Sequence, residues 1–195
     1  MVKVLGILGS PREQGNTEIL LDEALRGAGE AGAGTEKLKL AGLDFSGCSE
    51  CEDCYVTGQC SIEDDMDRVY DALERADRIL LASPIFFMGL PSQAKAMIDR
   101  TQRYWALKYL LKEDFPARSS AARYGSFIGV GATRGKQLFD GTILTLKYFF
   151  DAISVKPLSD SYLLVRGVDE KGEIRRREGI PQSAARLGKM LATRS

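Results

Sequence analysis

Histidine is absent: none of the 195 residues carries an imidazole. This absence excludes Ser-His-Asp triads, histidine general bases and zinc sites built on imidazole ligands. The chain also has no excess of charge of either sign, because 27 basic and 27 acidic side chains give a formal net charge of zero. A neutral chain with no long basic run has no field that gathers nucleic acid, so we expect no nucleic-acid partner.

Long apolar runs are also missing. The longest is far shorter than the ~20 residues that cross a bilayer, so we expect no membrane segment. The first residues, MVKVLGILGSPRE, turn polar too early for a secretory signal peptide, which predicts a cytoplasmic location. The length suits a single domain, which we expect to span residues 1–195.

Short apolar runs alternate with amphipathic stretches along the chain. The predicted strands cover residues 2–8, 35–41, 78–83, 124–131 and 159–165. Helices are predicted from Asn16 to the glycines at 27–34, from Asp64 to Ala76, from Pro91 to Trp105, over 135–151 and over 180–193. Five strands separated by helices predict an α/β fold, with a parallel sheet covered on both faces.

Two local features of the helices can also be predicted. Asn16 or Thr17 is expected to cap the first helix, because both residue types are good N-caps. Asp99 and Arg100 are expected to be charges on a solvent-exposed helix surface. The loops after the strands, at 9–17, 83–91 and 131–136, lie at the carboxyl edge of such a sheet, where we expect the functional site.

The first of these loops predicts a phosphate site. It joins a strand to a helix N-terminus, whose free N–H groups and positive dipole end attract anions. Glycines allow close backbone approach, and the predicted ligands are Ser10, Arg12, Asn16 and Thr17. The spacing is neither a Walker A loop nor the dinucleotide fingerprint. The alternative is a turn and an N-cap that bind nothing.

The second and third loops predict a flat apolar slot. Pro84, Ile85, Phe86, Phe87, Met88 and Gly89 follow the third strand, and adjacent aromatics there are unusual for a solvent-facing loop. A planar aromatic ligand would explain them, and packing beneath the loop is the alternative. The third loop adds small residues and backbone amides, from Gly131, Ala132, Thr133, Arg134 and Gly135.

All four cysteines lie in one stretch of thirteen residues, within a loop at 46–62. Cys48, Cys51, Cys54 and Cys60 have the spacing C-x2-C-x2-C-x5-C, and such runs wrap a 4Fe–4S cluster in ferredoxin-like proteins. This pattern favours a cluster. Free or redox-active thiols, a zinc site and two disulfides stay open as alternatives.

Taken in order, these motifs resemble those of a known family. GSPR-x2-GNT, the cysteine run, I-x-DDM, SP-x3-MG and QAKAMIDR together resemble the iron–sulfur flavoproteins, in the NAD(P)H-dependent FMN reductase group. The resemblance extends over residues 2–195 and implies a flavodoxin-like sheet with strand order 2-1-3-4-5. It implies FMN, with its phosphate on the first loop and its ring against the second and third loops. It further implies a 4Fe–4S cluster on the four cysteines, and dimers or tetramers with the flavin near an interface.

We therefore expect an FMN-dependent oxidoreductase that moves electrons between a two-electron donor, such as NAD(P)H, and one-electron partners. The acceptor would be a redox protein or a small molecule, and no side chain need act as an acid or base. Three rivals stay open: a cluster-free FMN or quinone reductase, a non-enzymatic redox carrier or sensor, and a zinc-stabilised FMN-binding module.

Overall fold

A parallel β-sheet forms the centre of the computed structural model, which describes residues 1–194. Its strands are β1 (Lys3–Leu8), β2 (Gly34–Lys39), β3 (Arg78–Pro84), β4 (Tyr124–Gly131), β5 (Lys156–Pro157) and β6 (Leu163–Arg166). The helices are α1 (Asn16–Glu30), α2 (Asp53–Thr57), α3 (Met66–Arg75), α4 (Ser92–Arg100), α5 (Gln102–Ala106), α6 (Asp140–Ala152) and α7 (Ile180–Thr193). Every helix in residues 1–194 is too short or too polar to cross a membrane.

The strand order is β2-β1-β3-β4-β5, and all pairs are parallel. This confirms the predicted flavodoxin-like order 2-1-3-4-5. The fifth position differs in detail from the predicted strand at 159–165, because two short strands share it. β5 pairs with the start of β4 and β6 with its end. A 3-10 turn at Ser159–Ser161 separates them, held by a Ser126 Oγ to Ser161 Oγ hydrogen bond of 3.0 Å.

Alternate residues of the central strands pack on opposite faces of the sheet. Leu5, Ile7 and Phe127 join the core beneath α3, α4 and α6, whereas Leu8 and Ile128 join the core beneath α1 and α7. Because central parallel strands are buried on both faces, they read as nearly continuous apolar runs. Two hydrophobic cores therefore enclose the sheet and fix its carboxyl edge, where the loops after β1, β3 and β4 meet.

The predicted N-cap of α1 is wrong, because Gly15, not Asn16 or Thr17, occupies that position. The helix passes through Gly27 and ends at Glu30, within the predicted end at residues 27–34. Gly27 stays helical because α7 crosses α1 there: a Cβ at Gly27 would lie 2.1 Å from the Ala185 carbonyl oxygen. Gly27 therefore allows α1 and α7 to pack closely, and the sequence of α1 alone does not show this contact. The helix predicted from residue 135 begins later, at Asp140.

Candidate functional site

The loop after β1 forms a cradle at the amino end of α1. Ser10, Asn16 and Thr17 are all buried, and the Arg12 N–H donates to Ser10 Oγ at 3.2 Å. Within residues 1–194, no side chain caps α1, and the Thr17 hydroxyl makes no hydrogen bond. The amino end of this helix is thus free to bind an anion, which fits a phosphate.

Arg12 and Asn16 do more in the structure than the sequence predicts. Both bind the segment that follows β6. Arg12 Nη1 donates to the Asp169 carbonyl at 3.0 Å, and Asn16 Nδ2 donates to the Glu170 carbonyl at 2.8 Å. Asn16 Oδ1 also accepts from the Ile174 N–H at 3.1 Å. Both the oxygen and the nitrogen of the Asn16 amide therefore help to fix this segment.

A buried carboxylate holds the same loop from the other side. Glu18 accepts a 2.6 Å hydrogen bond from the Gln14 N–H and ion-pairs with Lys37 and Lys39. Burial opposes its ionisation, but the hydrogen bonds from Lys39, Gln14 and Lys37 outweigh burial and lower the pKa of Glu18 to about 2. Glu18 thus stays charged and keeps the left-handed turn at Gln14, with φ of 49°, in place.

This shift predicts an acid-dependent loss of stability. The folded pKa lies below the ordinary 4.5, so the contribution of Glu18 is complete above pH 4.5 and is lost as the pH falls toward 2. Between those limits the wild type should lose about 2–3 kcal/mol of unfolding free energy that Glu18→Gln does not lose. Urea unfolding at a series of pH values measures this, and equal acid losses in both proteins would contradict it.

A cavity of about 330 Å³ opens beside the cradle, at the carboxyl edge of the sheet. It brings together many predicted site residues: Ser10, Arg12, Asn16, Thr17, Pro84, Ile85, Phe86 and Ala132. Val168 and Asp169 also line it, and the sequence reading missed them because residues 169–172 look like an ordinary turn. Hydrogen bonds from Arg12 and Asn16, more than 150 positions away, help to place that segment here.

The aromatic turn after β3 lies at the open side of this cavity. Phe86 and Gly89 exchange two backbone hydrogen bonds of 2.9 Å, which places Phe87 and Met88 at the tip with positive φ. Phe87 is fully exposed and Met88 is half exposed. These two side chains do not pack beneath the loop, as the alternative reading expects, and they leave an apolar surface at the mouth of the cavity.

The loop after β4 contributes differently at each position. Gly131 is buried against Leu138, and Thr133, Arg134 and Gly135 are exposed beside the cavity instead of lining it. The Arg134 guanidinium lies over Gly167, where a Cβ would be 2.9 Å from Nε. This loop therefore forms the rim of the cavity and contacts the segment after β6.

The cysteine loop faces a second, larger groove of about 550 Å³ on the layer formed by α4, α5 and α6. All four cysteines are free thiols that line this groove: Cys48, Cys51, Cys54 and Cys60. Burial raises the pKa of the Cys54 thiol, and the three neighbouring cysteines raise it further. No group of three or more Cys, His, Asp or Glu side chains in residues 1–194 is arranged to hold a metal ion.

The donor set of this groove is nevertheless informative. It offers four soft thiol ligands on one wall, and a 4Fe–4S cluster binds each cysteine to a different iron, instead of four cysteines to one ion. The Glu50 N–H lies 3.4 Å from Cys48 Sγ, and Ser61 Oγ lies 3.4 Å from Cys51 Sγ. The residues present fit a cluster in chemistry, and α2, which the sequence reading missed, places Cys54 and Tyr55 within the loop.

One buried ion pair closes both ends of the cysteine loop. Arg100, at the end of α4, binds both carboxylate oxygens of Asp64, at 2.7 and 3.1 Å. It also donates to the carbonyls of Ser46, before the cysteines, and of Ile62, after them, each at 3.1 Å. The surface position predicted for Arg100 is wrong, because the cysteine loop covers it and leaves it 1% exposed. Asp99, by contrast, is exposed as predicted.

The ionisation of Asp64 follows from this contact. Burial would raise its pKa, but hydrogen bonds from Arg100 and from the N–H groups of Met66 and Ser46 hold the pKa below its usual value. We call Arg100 and Asp64 the loop clamp.

Comparison with known proteins assigns the chain to a family. A family model described as NADPH-dependent FMN reductase matches residues 2–164. The chain belongs to the NADPH-dependent FMN reductase family. It is therefore an oxidoreductase, and the resemblance stated from its motifs is confirmed.

This reductase is also similar to curated iron–sulfur flavoproteins. It is 37% identical over 150 residues to an iron–sulfur flavoprotein of Methanocaldococcus jannaschii, covering 76% of this chain and 72% of the relative. It is 35% identical over 158 residues to an iron–sulfur flavoprotein of Archaeoglobus fulgidus, covering 80% and 75%. The matches cover between about half and three quarters of the length of each curated relative.

A solved structure shares the fold of the reductase. The NAD(P)H:quinone oxidoreductase from Methanothermobacter marburgensis superposes with a TM-score of 0.74 at 17% identity, covering 99% of this chain and 97% of that one. This likeness supports the flavodoxin-like architecture.

Proposed function

We propose that the protein is an FMN-dependent iron–sulfur flavoprotein that passes electrons between a two-electron donor and one-electron partners. FMN would bind at the cavity beside α1, and a 4Fe–4S cluster would bind at Cys48, Cys51, Cys54 and Cys60. The observation that carries this proposal is the uncapped amino end of α1, which opens into a cavity next to an exposed aromatic turn.

The first loop would bind the FMN phosphate. The free N–H groups of the first turn of α1, the Thr17 hydroxyl and the Arg12 guanidinium all lie at one end of the cavity. The ring would lie at the other end, against Pro84, Ile85 and the Phe86–Gly89 turn, with the 131–135 rim beside it. Backbone N–H groups of the loops at 83–91 and 131–136 would tune the ring, and no side chain need act as an acid or base.

The cysteine groove would bind the cluster. Four free thiols on one wall support this, as do relatives named iron–sulfur flavoproteins. Flavin exchanges two electrons as hydride or one at a time, and a 4Fe–4S cluster passes them singly. The role of the chain is to hold the thiols at one groove, and the loop clamp supplies that restraint.

NAD(P)H would serve as the donor by stacking on the face of the flavin that is turned away from the Phe86–Gly89 turn. The acceptor would be a redox protein or a small molecule. A homodimer or homotetramer is also proposed, since Phe87, Leu144 and Tyr148 are exposed large apolar side chains that an interface would cover.

Anaerobic mixing with NADH or NADPH tests the proposal. The flavin bands of FMN-loaded protein should bleach, and a broad visible shoulder from the cluster should bleach afterwards. Bleaching of flavin with no shoulder at all favours a cluster-free FMN or quinone reductase. Protein that binds no FMN would contradict the proposal.

A Thr17→Val variant tests the phosphate cradle. Valine keeps the shape of threonine but removes a hydroxyl bonded to nothing else among the described residues, so the fold should persist. We expect the dissociation constant for FMN to rise about tenfold, the loss of one hydrogen bond to a charged group. Titrations followed by flavin fluorescence measure it.

Riboflavin, which lacks the phosphate, and Thr193→Val, at the exposed end of α7, are the controls for this variant. Equal weakening of riboflavin and FMN would show that Thr17 does not bind the phosphate.

A further inference from the structure

The segment that follows β6 forms part of the candidate flavin site. We call residues 167–174 the strap. Its backbone joins the rim loop at its start, through hydrogen bonds from Gly167 N to Thr133 O and from Val168 N to Gly131 O, both 3.2 Å. The strap begins just beyond residue 164, where the family match ends.

The middle of the strap is bound to the phosphate loop. Arg12 binds the Asp169 carbonyl, and Asn16 binds both the Glu170 carbonyl and the Ile174 N–H, at 2.8–3.1 Å. Ile174 itself is fully buried in the core beneath α1 and α7. The strap thus bridges the first and third loops and walls the cavity with Val168 and Asp169.

An internal network also fixes the shape of the strap. The Glu173 carboxylate accepts hydrogen bonds from the Asp169 N–H at 3.1 Å and the Glu170 N–H at 3.3 Å, and it pairs with Arg177. Arg177 in turn donates to the Gly167 carbonyl at 2.6 Å. Glu173 does not line the cavity, so it sets the strap without touching a ligand.

From these contacts we infer that the strap makes the site selective for a flavin mononucleotide over a flavin dinucleotide. This inference rests on the proposed function. A mononucleotide ends at the phosphate bound by the cradle. A dinucleotide continues with a second phosphate and an adenosine, and the strap walls the cavity beside the cradle. The dinucleotide would have to displace the strap from Arg12 and Asn16, and its second phosphate would lie beside the acidic residue Asp169.

Glu173→Ala tests the strap because it removes the acceptor of the Asp169 and Glu170 N–H groups while leaving the cavity lining intact. Titrations with FMN, FAD and riboflavin should show that the wild type binds FMN at least about tenfold more tightly than FAD. In Glu173→Ala this preference should fall about fivefold or more, with riboflavin affinity unchanged. Glu173→Gln, which keeps one acceptor oxygen, should lie between the two.

Glu178→Ala is the matched control, since Glu178 is an exposed glutamate four residues beyond the strap, and it should keep the wild-type preference. Wild-type protein that binds FAD as tightly as FMN overturns the inference, and so does an unchanged preference in Glu173→Ala. In both results FMN binding persists and the proposed function stands, whereas wild-type protein that binds no flavin overturns both.

Discussion

Replacing Arg100 by alanine is expected to lower the free energy of unfolding by about 3–5 kcal/mol. The Arg100 side chain is fully buried and Asp64 nearly so, so the variant leaves a carboxylate in the interior with no cation beside it. The carbonyls of Ser46 and Ile62 lose their donor in the same change. Urea unfolding measures the loss, and proteolysis of the cysteine loop should accelerate because both of its ends are released.

Two further variants serve as controls for the stability loss in Arg100→Ala. Lys95→Ala breaks an ion pair with Asp99 on the same helix, but both side chains are about half exposed, so stability should change by less than about 0.5 kcal/mol. Arg100→Lys keeps the charge but lacks the fork that reaches three acceptor groups, so its loss should be intermediate. An Arg100→Ala protein as stable as Lys95→Ala would show that the loop clamp does not hold the fold.

Replacing Gly188 by alanine is expected to cost about 3 kcal/mol or more, because α1 and α7 pack backbone against backbone. A Cβ at Gly188 would lie 1.7 Å from the Ala24 carbonyl oxygen, and one at Gly27 would lie 2.1 Å from that of Ala185. Backbone atoms cannot rotate away, so the two helices must separate. Urea or thermal unfolding gives the measurement.

Gly29 supplies the matched control for this packing. It lies on α1, two residues from Gly27, yet nothing lies within 4 Å of its Cβ position. Gly29→Ala should raise stability by about 0.5–1 kcal/mol, the ordinary helix preference for alanine. A stable Gly188→Ala protein would contradict the close crossing of α1 and α7.

The predictable part of this fold is local. The central strands show as apolar runs because both of their faces are buried, and their alternation with helices predicts a parallel sheet. The strand order 2-1-3-4-5 is implied only by the family resemblance. Ser10 and Thr17, which line the cavity, could be placed there because a strand, a glycine-containing loop and a helix start are adjacent in sequence. Clustered cysteines likewise indicate their own site.

The parts that sequence reasoning missed depend on contacts between distant residues. Arg100 looks like a surface charge on α4, and only the cysteine loop, 36–54 residues away, makes it a buried clamp. Gly27 looks like a helix end until α7 crosses it. Asp169 lies in an apparent turn, and contacts with Arg12 and Asn16, more than 150 residues earlier, help to bring that turn to the cavity. No local sequence pattern predicts such contacts between distant residues.

The most direct test of the central claim is the flavin, iron and acid-labile sulfide content of protein purified without oxygen. The control is a variant in which all four cysteines, Cys48, Cys51, Cys54 and Cys60, are replaced by serine. The account predicts one FMN with about four iron and four sulfide per wild-type chain, and FMN without iron in the variant. Wild-type protein with flavin but no iron, or iron that persists in the serine variant, would contradict it.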